Sequence, residues 1–288
     1  MPTVLGIGNA VLDVVHLVNT YPKENSETRA IRSETRLGGN IANQLQVMKQ
    51  LGIDAHWAGT LAKDSSGQQI QKKLQELGIN TELAKVSEAG QTPTSHIILN
   101  SENGSRTILH TRNLEEFCYQ DMNFDCIGPI DCLHVEARNV ADQILIVQHI
   151  RSSNKHVLIS VEIEKDRPLV QKLWECADIL FISSHYTEQM KISNSEKLFA
   201  HLKTSNAKLI VHTKGSEGLS YLYKSQIFHL PAIPISPVLD TLAAGDVFIG
   251  SCLGFLILGH DYESAIARAN RVAGKKCMQY GIENLDFG

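Results

Sequence analysis

The chain has 288 residues, of which 43% are hydrophobic, and its net charge at pH 7 is −4. These values predict a single domain spanning residues 1–288 with one large buried core, and the near balance of charge gives no electrostatic case for nucleic-acid binding. The longest apolar run, Val247 to Leu258, is too short to cross a bilayer, and the N-terminus lacks the basic region of a signal peptide.

The cysteines and histidines carry no motif of a disulfide scaffold or a metal site. Six cysteines form no C-x-x-C pair, and twelve histidines form no H-E-x-x-H pattern. Unpaired cysteines in a large chain without a signal peptide indicate free thiols in a reducing compartment. We therefore expect a cytoplasmic globular protein with neither a membrane nor a nucleic acid as partner.

The first predicted element is a short buried strand at residues 4–8 that ends in glycines. A dinucleotide-binding fingerprint would need a third glycine where the chain has Val11, so we reject that interpretation. Asp13 follows among apolar neighbours. It is either a turn or capping residue, or a carboxylate at a strand end that accepts hydrogen bonds from a polyol.

A helix is predicted over residues 41–51, where apolar residues recur at helical spacing and Gly52 follows as a C-terminal cap. Gly39 precedes it and allows close approach to the backbone. Asn40 and Asn43 fall near the helix start, where their amides and the unpaired N–H groups could meet a ligand. Asn40 could equally be the N-cap.

Two polar segments predict a small antiparallel sheet beside the main body. The first, residues 21–37, shows the partial alternation of a solvent-facing strand or flap. The second contains two extended runs, at 94–100 and 106–111, on either side of an Asn-Gly turn, which is a strong hairpin signal. We expect this sheet to be built from segments of about 14–37 and 92–112.

From residue 130 onward, short β-rich runs alternate with helical patterns. This alternation is typical of βαβ units and predicts an α/β fold with a mostly parallel central sheet and helices on both faces. Ligands of such sheets bind beyond the carboxyl ends of the strands. Glu136, Glu162 and Glu164 lie at or just after such ends.

A glycine-bearing loop follows one of these buried strands and consists of Gly215, Ser216, Glu217 and Gly218. It is either an ordinary connection between two strands or a nucleotide contact. The chain has no G-x-x-x-x-G-K-[ST] motif, which excludes a P-loop enzyme.

The most informative stretch is the small-residue elbow at residues 243–245, which precedes Asp246 and an apolar run. If a helix begins there, its unpaired N–H groups and its dipole would favour a phosphate, and Asp246 would stand beside it. This arrangement suits phosphoryl transfer, with a carboxylate that takes or orients a hydroxyl proton. The helix end should also favour the ionised form of Asp246. The alternative is a buried helix with an Asp in its first turn.

Together these motifs resemble the ribokinase-like (PfkB) family of sugar kinases along essentially the whole chain. The N-terminal marks are Asp13, Gly39, Asn40 and Asn43, and the C-terminal mark is the run from Asp240 to Asp246. Within the family, Tyr21-Pro22-Lys23-Glu24 and His134-Val135-Glu136 resemble the ketohexokinase subgroup. The resemblance implies a ribokinase-like fold, a lid formed by the antiparallel sheet, and often a homodimer through that lid.

The resemblance also implies a role for individual residues. Asp246 would be the catalytic base, and Ala243, Ala244 and Gly245 the anion hole. The sugar would be held by Asp13, Gly39, Asn40, Asn43, Glu136 and Asn25. ATP would be contacted by Arg106 and by Gly215, Ser216, Glu217 and Gly218, and Mg²⁺ would be carried by ATP rather than by a direct protein ligand, with Glu188 as the one carboxylate linked to it.

The implied reaction is transfer of the γ-phosphate of ATP to a hydroxyl of a furanose sugar, with a ketohexose such as fructose as the leading acceptor. One departure leaves the acceptor open: Asn25 replaces an acidic lid residue. A second, His185 in place of the Asn of the family's Asn-x-x-Glu motif, which ends at Glu188, is shared by ketohexokinases and favours that subgroup. A kinase for ribose, another sugar or a nucleoside is one alternative. A non-catalytic sugar- or nucleotide-binding protein is another.

Overall fold

The structure is a computed structural model that describes all 288 residues. It contains fourteen strands and eight α-helices. The strands are β1 (Thr3–Ile7), β2 (Val11–Val18), β3 (Arg32–Gly38), β4 (Asp54–Ala58), β5 (Thr60–Ala62), β6 (Lys85–Ser87), β7 (Thr94–Asn100), β8 (Arg106–Thr111), β9 (Cys132–Glu136), β10 (Leu158–Ile163), β11 (Ile179–Ser183), β12 (Leu209–Thr213), β13 (Leu219–Tyr223) and β14 (Gln226–Leu230).

The helices separate most of the strands of the second half of the chain. They are α1 (Asn40–Gln50), α2 (Ser65–Glu76), α3 (Val140–Ser153), α4 (Val170–Trp174), α5 (Ser184–Gln189), α6 (Ser195–His201), α7 (Ala244–Ile257) and α8 (Tyr262–Lys276). No helix is long and apolar enough to span a membrane.

The central sheet has eight strands in the order β14-β13-β12-β11-β10-β9-β1-β4. The pairings from β12 to β4 are parallel, whereas β13 and β14 are added antiparallel at one edge. Parallel pairing places the carboxyl ends of β9 and β10 at the same edge, where Glu136 and Glu162 are register partners. The predicted α/β fold with a mostly parallel sheet is confirmed.

Two hydrophobic cores cover the two faces of this sheet, because successive residues of a strand point to opposite faces. In β1, Val4 belongs to the core formed with α1, α7 and α8, whereas Leu5 and Ile7 belong to the core formed with α3 and α4. Such strands, buried on both faces, read as continuous apolar runs, which is why they are recognisable in the sequence.

A second sheet of four strands, in the order β3-β2-β7-β8, lies beside the main body. The β2–β3 and β7–β8 pairs are antiparallel, as predicted, but β2 and β7 pair in parallel. The strands of the predicted hairpin, β7 and β8, have the predicted bounds. The sheet begins at Val11, so Asp13 lies within β2 and not at a strand end.

Three elements differ from the prediction for local reasons. Helix α4 has only five residues and begins after Leu169, which has a left-handed φ of 67° at its N-terminus. Helix α5 has no apolar periodicity and depends on Ser183, whose side chain accepts a hydrogen bond from the Tyr186 N–H. Strand β14 is a short, mostly exposed edge strand in which only Phe228 and Leu230 pack against the core.

Candidate active site

Helix α7 begins at the small-residue elbow. Ala243 is its N-cap, with a left-handed φ of 60°, a conformation that costs alanine on the order of 1 kcal/mol. The N–H groups of Gly245 and Asp246 have no hydrogen-bond partner in the protein. A side chain at Gly245 would meet no atom within 4 Å. The first turn of α7 therefore presents unpaired N–H donors to open space.

Asp246 lies in this first turn and is held by an amide from α1. The Asn43 side-chain NH₂ donates a 2.8 Å hydrogen bond to its Oδ2 atom. Burial raises the pKa of Asp246 to about 7; the Asn43 bond opposes the rise, and the carboxylates of Glu136, Glu164 and Asp13 add to it. The expectation that the helix end keeps Asp246 ionised is therefore wrong for this structure, because burial among carboxylates outweighs the dipole.

Glu162, at the end of β10, is the second carboxylate at this point. Its two oxygens accept hydrogen bonds from Asn40, at 3.0 Å, and from Gln44, at 2.7 Å. The Gln44 amide also lies 3.5 Å from Asp246 Oδ1. Burial, with the neighbouring charges of Asp246 and Glu136, raises the pKa of Glu162 well above its ordinary value. Asn40 is not the N-cap of α1; that position is Gly39.

Asp13 and Gly39 lie where the small sheet meets α1. Asp13 is only 8% exposed, and burial raises its pKa to about 6, against the opposing effects of Ser95 and Arg36. Gly39 has a φ of 96°, and a Cβ atom there would lie 2.5 Å from the Asn9 carbonyl oxygen. Only glycine fits this position without displacing the backbone.

The other two predicted sugar-binding residues differ in their environments. Glu136 is buried at the end of β9, where it accepts hydrogen bonds from the Asn9 N–H at 3.3 Å and from Arg138 at 3.1 Å. Asn25 is exposed in the connection between β2 and β3, with a φ of 54° and no hydrogen bond to the other predicted residues. Asn25 is thus the one predicted sugar ligand that the structure does not bring to the cluster.

The predicted ATP-binding residues fall on two elements near the open edge of the site. Arg106, at the start of β8, donates a 2.9 Å hydrogen bond to the Thr241 hydroxyl in the segment before α7. Residues Gly215–Glu217 form a short 3₁₀ turn after β12, in which Ser216 and Glu217 are exposed. Gly218 has a φ of 86°, and a Cβ there would lie 2.1 Å from the Leu230 carbonyl oxygen, so this glycine also serves the turn itself. Glu188 is exposed on α5.

A buried charge cluster supports the segment that leads into α7. Asp240 is 0% exposed and accepts a 2.7 Å hydrogen bond from Arg36, on β3. Lys276, at the end of α8, lies 3.4 Å from the Asp240 carboxylate and donates a 2.7 Å hydrogen bond to the Asp240 carbonyl oxygen. Burial acts to raise the pKa of Asp240, but Lys276 and Arg36 outweigh it and hold that pKa below its ordinary value.

With this geometry established, the similarity to known proteins becomes informative. The sequence profile of the pfkB family carbohydrate kinases matches residues 1–285. The chain belongs to this family. Ketohexokinase of Mus musculus is 30% identical to this pfkB kinase over 294 residues, covering 98% of each chain, and ribokinase of Bacillus subtilis is 26% identical, covering 98% of this chain and 95% of the other.

Solved structures agree on the fold of this pfkB kinase. Ribokinase from Giardia lamblia superposes with a TM-score of 0.82 at 17% identity, covering 98% of this chain and 94% of that one. Arabidopsis thaliana ribokinase complexed with ribose and ATP gives a TM-score of 0.76 at 20% identity, covering 97% and 94%. The resemblance to ribokinase-like proteins is confirmed, and the chain is a phosphotransferase that acts on an alcohol group, a sugar or nucleoside kinase.

Several residues of this pfkB site were not among the sequence-based candidates. Glu162 was noticed only as a strand-end carboxylate, and Gln44, His134, Arg36 and Lys276 were not assigned to the site. A signal for Gln44 was present, because Asn40, Asn43 and Gln44 share one helical face at spacings of three and four residues. No local signal indicated Arg36 or Lys276, because Asp240, the residue that both contact, is distant from each of them in the sequence.

Proposed function

We propose that this protein is an ATP-dependent kinase that transfers the γ-phosphate to a hydroxyl of a furanose sugar, and that Asp246 is its catalytic base. The observation that carries the proposal is the first turn of α7. It combines unpaired N–H groups at Gly245 and Asp246 with a carboxylate whose Oδ2 atom is held 2.8 Å from the Asn43 amide. An anion cradle and a positioned proton acceptor are the two parts that phosphoryl transfer requires of a protein.

In this mechanism Asp246 receives the proton of the attacking hydroxyl late in the transfer. Ala243, Ala244 and Gly245 form the anion hole, because the backbone at the start of α7 faces the transferring phosphoryl group with its donors. Asp13, Gly39, Asn40, Asn43 and Glu136 hold the sugar, and Asn25 would have to approach from the β2–β3 connection. Buried carboxylates and amides suit this task, since they can accept and donate several hydrogen bonds to a polyol.

The nucleotide is assigned to the Arg106 and Gly215–Gly218 side of the site. Arabidopsis thaliana ribokinase complexed with ribose and ATP, and Cryptococcus neoformans ribokinase in complex with ADP, support ATP as the phosphate donor. No group of three or more His, Cys, Asp or Glu side chains is arranged to hold a metal. We assign Mg²⁺ to the nucleotide phosphates, where it would neutralise charge, with the exposed Glu188 as the carboxylate linked to it.

We further propose fructose as the acceptor and fructose 1-phosphate as the product. The 30% identity to the mouse ketohexokinase over the full length supports this choice. A second candidate, ribose, is supported by the 26% identity to the Bacillus subtilis ribokinase over nearly the full length. The three amides and two carboxylates around Asp246 suit either furanose ring.

The four-stranded sheet is proposed to act as a lid over the sugar and to pair with its copy in a homodimer. All six residues of β8 are exposed, including Ile108 at 47% and Leu109 at 62%. An open edge strand with exposed apolar side chains is stabilised when another surface covers it. All six cysteines are free, which supports a cytoplasmic location.

The test is ADP release by the purified protein with ATP and Mg²⁺, with fructose, tagatose, ribose, adenosine or no acceptor. Turnover confined to fructose or a close ketose, with phosphate on the C1 oxygen by ³¹P–¹H NMR, supports the proposal. Turnover on ribose or adenosine keeps Asp246 and changes the acceptor. No turnover on any of these would contradict the assigned acceptors, and thermal shifts with each compound would then identify the sugar that binds.

A further inference from the structure

Gln44 is a fully buried amide that touches both carboxylates of the site. It lies in the first turns of α1, and its NH₂ group is 2.7 Å from Glu162 Oε2 and 3.5 Å from Asp246 Oδ1. Its carbonyl oxygen points the other way, 2.7 Å from His134 Nε2. The hydrogen-bond network assigns the amide this orientation, in which its NH₂ group faces the two carboxylates and its oxygen faces His134.

His134 contacts the Gln44 amide on the side opposite the carboxylates and fixes its orientation. It is fully buried on β9, and burial lowers its pKa to about 3, so the ring is neutral. A neutral ring has one donor and one acceptor. Because Nε2 faces an amide oxygen, which only accepts, the proton must be on Nε2; Nδ1 then accepts from the Ser160 hydroxyl at 3.0 Å. A one-directional relay therefore runs from Ser160 through His134 to Gln44 and ends at the carboxylates.

The relay supplies a hydrogen-bond donor where two carboxylates of the site repel each other. Asp246 and Glu162 are near neighbours of like charge, and Glu136, Glu164 and Asp13 add to the negative potential around Asp246. The Asn43 amide donates only to Asp246, and the Asn40 amide donates only to Glu162. Gln44 is the one donor shared by the two.

We propose that Gln44, oriented by His134 and Ser160, is a positioning residue for phosphoryl transfer, because its amide holds Asp246 and Glu162 in one fixed relation. With Oδ2 bound to Asn43 and Oδ1 facing Gln44, the plane of the Asp246 carboxylate is fixed and a remaining lone pair is directed at the acceptor hydroxyl. The proposal rests on Asp246 being the base in the proposed function.

The test compares Gln44→Met with Gln46→Met, measuring kcat, both KM values and the pH profile of kcat. Gln46 is also buried on α1, at 4% exposure, but its side chain makes no hydrogen bond. We expect Gln44→Met to lower kcat on the order of 10- to 100-fold, the loss of one hydrogen bond to a charged group, with little change in KM. The acid limb of the profile should move to higher pH, because the amide favours the ionised carboxylates. Gln46→Met should match the wild type.

Two outcomes would overturn the proposal. One is a Gln44→Met variant with wild-type kcat and an unmoved acid limb, and the other is an equal loss of kcat in Gln46→Met. If Gln44→Met does not fold, Ser160→Ala removes only the first hydroxyl of the relay and should lower kcat in the same direction by a smaller factor. Wild-type kcat in Ser160→Ala would then count against the relay.

A second measurement needs no activity. Long-range ¹H–¹⁵N NMR of the wild-type protein should show His134 as the neutral Nε2–H tautomer throughout the working pH range. An Nδ1–H tautomer or a charged ring would contradict the relay. The tautomer measurement separates failure of the Gln44 relay from failure of the proposed function. Full turnover of Asp246→Asn would remove the proposed base and leave the His134 tautomer unchanged. A wrong acceptor sugar would change neither the tautomer nor the comparison of Gln44→Met with Gln46→Met.

Discussion

The guanidinium of Arg36 donates a 2.7 Å hydrogen bond to the carboxylate of Asp240, across 204 positions of the sequence. Arg36 belongs to β3 of the small sheet, and Asp240 lies in the segment that leads into α7. The bond therefore joins the sheet that carries Asp13 to the helix that carries Asp246. Two elements of the candidate site are therefore joined by an ion pair whose carboxylate is fully buried, in addition to apolar packing.

Removal of the second cation of this cluster should be costly. We expect Lys276→Met to lower the free energy of unfolding on the order of 3 kcal/mol, because Asp240 stays buried with one of its two counter-charges gone. Lys275→Met is the matched control: its 2.6 Å pair with Asp286 is at the surface, with side-chain exposures of 40% and 65%, and such pairs contribute no more than about 1 kcal/mol. Urea unfolding measures both, and equal losses would contradict a structural role for Lys276.

Replacing the proposed base should abolish turnover without unfolding the protein. We expect Asp246→Asn to lower kcat by a factor on the order of 10²–10⁴, the usual contribution of a positioned acid–base group. The fold should survive, because burial raises the pKa of Asp246 to about 7 and a neutral amide suits such a position. Thermal shifts with sugar and nucleotide establish that the variant still binds. Near-normal turnover would remove Asp246 from the mechanism.

Asp13 should make the unliganded protein less stable as the pH rises. Its folded-state pKa of about 6 lies above the ordinary value of 3.8, so the ionised form is penalised in the folded state. The penalty grows as the pH rises from about 4 to about 6 and is constant above, where it reaches about 3 kcal/mol. Asp13→Asn should therefore raise the free energy of unfolding at pH 8, with no gain at pH 3.5.

Asp64 provides a control of opposite sign for this experiment. Burial acts to raise its pKa, but hydrogen bonds from Thr92 and Gly67 outweigh burial and lower it. Its stabilising effect is present above the unfolded-state pKa and is lost as the pH falls through the lower folded-state value. Asp64→Asn should therefore destabilise the protein at pH 8. A destabilised Asp13→Asn variant at that pH would contradict the direction expected for Asp13.

Gly39 should not tolerate a side chain. We expect Gly39→Ala to raise the KM for the sugar about tenfold or more, because its Cβ would lie 2.5 Å from the Asn9 carbonyl and displace the start of α1. Gly52→Ala, just after the other end of the same helix, is the matched control. Gly52 has a φ of 81°, and a Cβ atom added there would meet no atom within 4 Å. This substitution should cost on the order of 1 kcal/mol of stability and leave the kinetics unchanged. Equal KM values in the two variants would contradict the prediction.

Local patterns predict some of this site and not the rest. The elbow that precedes Asp246 and the amides at the start of α1 follow local rules for helix ends, and both can be recognised from the order of residues alone. The fold was predictable for the same reason, since buried strands and amphipathic helices are short-range patterns. Asn43 and Asp246, which two separate local patterns single out, lie 2.8 Å apart in the structure.

The remaining contacts depend on pairs of residues that no local pattern joins. His134 meets Gln44 across 90 positions, and either residue alone reads as a misplaced polar side chain in an apolar run. The pKa of Asp246 was misjudged for a related reason: a helix dipole is visible in sequence, whereas the carboxylates that gather around the side chain in the folded state are not.

The three amides of α1 that lie at the candidate site also limit how this chain can change in length. Asn40, Asn43 and Gln44 share a face only because each residue advances the helix by about 100°. Inserting one residue after Asn40 would rotate Asn43 and Gln44 away from Asp246 while Asn40 kept its place. The exposed turn at Lys224 and Ser225 between β13 and β14 has no such phase to keep. Insertions and deletions should therefore accumulate in that turn during evolution and be excluded from the first turn of α1.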